Sequence, residues 1–112
     1  MFKIEDQPKL VEWPVSVNVP QDGGKIKKNT FTAEFELITQ EELDAIYKDG
    51  GTDVDLLRQV LFNCTGVCDA EGKPIDFNDD LRDKLINIPY VRSALVAAYV
   101  ECSHGKAAAR KN

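Results

Sequence analysis

The chain has 112 residues, 43% of them hydrophobic and 29% charged, and a formal net charge of −5. Those values describe one folded domain and exclude a disordered acidic tail. No apolar run approaches the roughly 20 residues that cross a bilayer, and Met1-Phe2-Lys3-Ile4-Glu5-Asp6 lacks the apolar stretch of a secretory signal, so a cytoplasmic location is the expectation.

Residues 11–19 alternate: Val11, Trp13, Val15, Val17 and Val19 fall on one face, and Glu12, Pro14, Ser16 and Asn18 on the other. A period of two marks a strand with one buried face, and Pro14, which has no backbone donor, places it at a sheet edge. Gln21-Asp22-Gly23-Gly24 supplies the residues that a hairpin turn needs. A second strand follows, with Phe31, Ala33, Phe35 and Leu37 inward. Ile26 is out of phase with that face, which predicts a bulge near Lys27-Lys28-Asn29. Phe2 and Ile4 are read as a short third strand.

Thr39-Gln40-Glu41-Glu42 is a capping box that opens a helix with Leu43, Ile46 and Tyr47 as its stripe, and Asp49-Gly50-Gly51 closes it. Thr52 or Asp53 caps a central helix in which Val54, Leu57, Val60 and Leu61 share a face and Leu56 widens it. A loop from about 63 to 77 contains Gly66, Gly72 and Pro74, and Val67 and Ile75 are placed to pair across Asp69-Ala70-Glu71-Gly72. Asn78 caps a helix with Leu81, Leu85 and Ile86 inward. Pro89 drives Ile88 out of the helical region and starts a last helix with Val91, Leu95, Ala98, Tyr99 and Cys102 at helical spacing. Gly105 ends it, and residues 106–112 form a basic frayed tail after a single domain spanning 1–105. The expected architecture is α+β: an N-terminal antiparallel β-hairpin or small sheet followed by three to four packed α-helices. Its core candidates are Trp13, Val15, Val17, Phe31, Phe35, Leu43, Ile46, Leu57, Val60, Leu61, Leu81, Leu85, Leu95 and Tyr99.

Charge is uneven. Residues 1–38 hold six acids and five bases, residues 39–86 twelve and five, and residues 87–112 one and four. An acidic middle repels phosphate, so nucleic acid is not an expected partner, and it attracts a basic protein surface. The plainer alternative is a solvated face that keeps the chain soluble.

The residue sets that carry chemistry are sparse. Cys64, Cys68, Cys102 and His104 hold metal-ligand elements, but the pairs are spaced unlike a zinc knuckle and Cys102 fits the apolar stripe of its helix. Three cysteines argue against a disulfide framework and for a reducing compartment, where free thiols pack as small hydrophobes. A Cys–His nucleophile pair lacks an orienting third group. Asp69-x-Glu71-Gly72 and Asp76-x3-Asp80 lack the terminal bidentate Glu of a calcium loop and are read as turn and cap residues. Asp22-Gly23-Gly24-Lys25 leads into a strand, so the helix N-terminus that would cradle a phosphate is missing. Trp13, Phe31 and Phe35 have Glu12, Glu34 and Glu36 as neighbours, which points to core packing and not to stacking on bases. The chain is therefore expected to be no enzyme, with no cofactor and no metal.

The order of motifs carries more. Asp53-Val54-Asp55-Leu56-Leu57 opens the central helix; Gly66-Val67, Asp69, Gly72, Pro74 and Phe77 punctuate the loop; Leu81 and Leu85 precede Pro89; Ala94-Leu95, Ala98-Tyr99, Glu101 and Gly105 follow, and Arg110-Lys111-Asn112 closes. With the N-terminal hairpin, this order resembles the tail assembly chaperones of long, non-contractile-tailed bacteriophages and prophages. The resemblance implies a non-enzymatic protein of the host cytoplasm. It would bind the tape-measure protein, keep it soluble, bring the major tail (tube) protein to polymerise around it, and be absent from the mature virion. Homo-oligomers are compatible with that role. The alternative is a structural head–tail connector or tail terminator component retained in the virion. The expected partner-binding residues are Asp69, Asp76, Asp79, Asp80 and Asp83, where charge and irregular backbone concentrate.

Overall fold

Alternation in the first forty residues produces a long antiparallel hairpin in the computed structural model, which describes residues 1–108. Strand β1 spans Leu10–Gln21 and β2 spans Lys25–Glu36, joined by a single 3-10 turn at Asp22–Gly24. Gly23 and Gly24 both adopt positive φ there, 79° and 75°, which only glycine takes without strain. The register runs from Leu10 opposite Glu36 to Gln21 opposite Lys25 without interruption. The expected bulge near Lys27-Lys28-Asn29 is therefore absent. Ile26 stays out of phase by facing away from the helices, opposite Pro20, and is left exposed.

The third strand is not formed by Phe2 and Ile4. Ile4–Asp6 make one 3-10 turn, and both apolar side chains are exposed. The third strand is β3, Leu61–Thr65, which pairs antiparallel with β2 and completes a sheet of order β1-β2-β3. Its pairing shifts between Glu34 and Phe35, which absorbs one extra residue beside the exposed Phe62.

The helices begin where their caps place them. Helix α1, Gln40–Lys48, carries the reciprocal Thr39–Glu42 box: the Glu42 amide donates to the Thr39 hydroxyl at 3.2 Å and the Thr39 amide donates to Glu42 Oε1 at 3.0 Å. Helix α2, Asp53–Val60, is entered through Thr52, whose amide donates to Asp55 Oδ2 at 2.9 Å. Helix α3, Asp79–Asn87, starts with the Leu81 amide donating to Asn78 Oδ1 at 2.9 Å. Helix α4, Pro89–Ser103, has Pro at its first position, where no backbone donor is needed. Gly105 follows it with φ 68°.

The core lies between one sheet face and the helices. Val15, Ala33, Phe35, Leu57, Val60 and Leu95 have no exposed surface. Val91, Leu95, Ala98, Tyr99 and Cys102 are all buried on α4, and Leu81, Leu85 and Ile86 on α3. Trp13, Phe31, Leu43 and Ile46 are only partly buried against this core, and α1 buries no residue fully. Tyr99 ties α4 to the end of the sheet. Its ring meets Phe35 edge-on with centroids 5.3 Å apart, its hydroxyl donates to the Glu36 carbonyl at 3.4 Å, and it accepts from the Ile38 amide at 3.4 Å. No described helix is long and apolar enough to cross a membrane.

Candidate interaction surfaces

Two surfaces stand out, one acidic and one apolar. The acidic surface is built by α3. Because Leu81, Leu85 and Ile86 turn inward, the carboxylates of its first two turns face solvent. Asp79 pairs with Arg82 at 3.5 Å, and Asp83 receives both Arg58 at 3.4 Å and Arg82 at 3.2 Å. Asp80 and Asp76 have no ion-pair partner among the described residues. Arg58, Asp80, Asp83, Lys84 and Asn87 line a shallow cleft of about 390 Å³ between α2 and α3. Asp69 stands apart from this group. Its Oδ1 accepts from the amides of Glu71 and Lys73, each at 2.9 Å, so its carboxylate shapes the turn. The expected small hairpin is present around it: the Ile75 amide donates to the Val67 carbonyl at 2.9 Å, and Cys68 bridges Pro74. Of the five acidic residues singled out from the sequence, Asp76, Asp79, Asp80 and Asp83 thus lead into or sit on α3, whereas Asp69 serves the loop.

The apolar surface was not legible as a site in the sequence. A groove of about 750 Å³ opens between the outer half of the hairpin, the segment 66–68 and the junction of α3 and α4. Val17, Val19, Phe31, Val67, Tyr90 and Val91 give it an apolar lining. One signal pointed to it. Along β1 the inward face stays apolar through Val17 and Val19, while the residues opposite them on β2 are Asn29 and Lys27. The core therefore ends partway along the hairpin: Val17 is still buried in it, and Val19 beyond is only partly buried.

The thiols are separated by burial. Cys64 in β3 and Cys102 in α4 are buried, and Cys68 is exposed in the loop. Burial pushes the Cys64 thiol up to about 12, and burial also raises that of Cys102. Both are packed as neutral hydrophobes, the opposite of an activated thiolate. Among the described residues no three His, Cys, Asp or Glu side chains come together as a metal-holding group.

No protein-family model, curated protein or solved structure matches the chain.

Proposed function

We propose that the protein is a phage tail assembly chaperone, which binds the tape-measure protein, keeps it soluble and promotes tail-tube polymerisation around it in the host cytoplasm. The observation that supports this reading is the sidedness of α3: its apolar residues are committed to the core, and its carboxylates at Asp79, Asp80 and Asp83 lie outward, Asp80 without an ion-pair partner among the described residues. Such a surface attracts a basic, helical partner by charge and holds it without deep burial. Each contact is then weak enough to be displaced when tube subunits arrive, and many copies along one tape measure hold through multivalency.

Co-expression with the cognate tape-measure protein tests the reading. The wild type keeps that protein in the soluble fraction; a variant with Asp79, Asp80 and Asp83 changed to Lys does not, while its melting temperature stays within a few degrees of the wild type. Solubility retained by the triple variant removes α3 as the contact. Mass spectrometry of purified virions tests the role itself: a chaperone is absent, and recovery at a fixed ring stoichiometry replaces this reading with a retained connector or terminator.

A further inference from the structure

The sheet has two lateral edges, and they are treated differently. The Leu37 amide donates to the Lys9 carbonyl at 2.8 Å, in continuation of the β1–β2 register. Odd-numbered residues of both strands therefore bond across the hairpin, and even-numbered residues point their backbone groups outward. On β1 the outward set includes Pro14 and Pro20, which have no donor to offer, and α4 runs beside Pro14 and Ser16. That edge is closed to another strand.

The outward set on β2 is Ile26, Lys28, Thr30, Thr32, Glu34 and Glu36. β3 pairs Thr32 and Glu34 and then stops at Thr65. If it ran on, residue 67 would pair Thr30. Instead Gly66, at φ 87° and packed against the Phe31 backbone, turns the chain off the sheet, and Val67 pairs with Ile75. The lane beside Thr30, Lys28 and Ile26 is left without a strand among the described residues, with three amide donors and three carbonyl acceptors directed into it. The same lane forms one wall of the apolar groove.

We propose that this lane is a strand-addition site for an extended segment of a partner protein in which apolar residues alternate with carboxylates. Backbone pairing to Ile26, Lys28 and Thr30 supplies the affinity, and alternate side chains supply the selection. Residues on the helix side drop onto Val19, Phe31 and Val91, with the Lys27 stem on that same face; residues on the far side lie beside Ile26, Thr30 and the single cation Lys28. Lys28 also decides against a second copy of this chain. A two-fold β2–β2 pair in this lane sets Lys28 against Lys28, and like charges directly opposite are destabilising. The site stands independently of the assembly role proposed above, because synthetic peptides test it.

The probes are a six-residue peptide of alternating valine and glutamate and its valine–lysine counterpart. Amide hydrogen exchange is measured on the protein with and without each. The glutamate peptide slows exchange at Ile26, Lys28 and Thr30, which is fast in the free protein, and leaves the already paired Phe31 unchanged. Thr30→Pro removes one outward donor while sparing the β1 ladder, and weakens binding by about fivefold or more, the equivalent of one hydrogen bond. Lys28→Glu keeps the strand and reverses the preference between the two peptides. Failure of the glutamate peptide to bind at millimolar concentration, equal binding of both peptides, or binding that leaves the three amides unprotected overturns the proposal. A dimer in sedimentation with these amides protected in the absence of peptide assigns the lane to a second copy and also overturns it.

Discussion

Leu57 shows how one side chain sets the stability of this fold. It has no exposed surface and sits on the face of α2 that meets the sheet. Leu57→Ala removes buried methyl groups and leaves a cavity, so it is expected to cost about 2–5 kcal/mol, read as a lower urea midpoint at an unchanged slope. A midpoint equal to the wild type's would mean that the site collapses around the smaller residue. Such positions were legible in the sequence because periodicity alone marks them: every member of the α4 stripe from Val91 to Cys102 is buried as its spacing requires. Leu61 was legible only as apolar. Coming directly after Leu56, Leu57 and Val60, it fits a helical period, yet it begins β3. Its conformation is decided by pairing with Phe35, some twenty-five residues away, and no local pattern carries that information.

At the scale of elements, caps account for most of the boundaries. Thr39, Asn78 and Pro89 each announce a helix start by side-chain chemistry, and each start falls where that chemistry puts it. The Glu42 carboxylate lies below the usual carboxylate range because the Thr39 amide, and then the Thr39 hydroxyl, donate to it. A folded-state pKa below the unfolded value of about 4.3 means that the stabilisation is complete above that pH and disappears as pH falls through the folded value. Glu42→Gln is therefore expected to lower the melting temperature at pH 7 and to match the wild type once pH has fallen below the folded value, with the two curves converging on the way down. Parallel curves across that range would show that the carboxylate charge contributes nothing. The open lane beside β2 was invisible at this scale in the sequence. It exists because Gly66 diverts the chain, and a glycine read in isolation announces a turn without saying what the turn leaves uncovered.

Across the whole molecule, charge and apolar surface are partitioned. Lys25, Lys27 and Lys28 belong to the outer half of the hairpin, and the carboxylates Asp79, Asp80 and Asp83 belong to α3. The composition of the two segments was readable as a run of bases and a run of acids; their assignment to a sheet edge and a helix face required the topology. α4 holds the two layers together. It packs along β1, and Trp13 Nε1 donates to Glu101 Oε1 at 3.3 Å. Deleting residues from Leu95 onward is expected to expose Val15 and Val17, abolish cooperative melting and shift Trp13 fluorescence to the red; retention of a sharp transition would show that the hairpin with α1–α3 closes a core of its own.

That packing also fixes a timetable. The ribosome releases the hairpin long before α4, and at ordinary elongation rates on the order of several seconds separate them. During that interval the valine face of β1 is bare in a nascent chain, and the final helix settles onto it only when translation has passed Ser103. A pause in synthesis between α3 and α4 would therefore lengthen the period in which this protein, itself proposed to shield another, has a face in need of shielding.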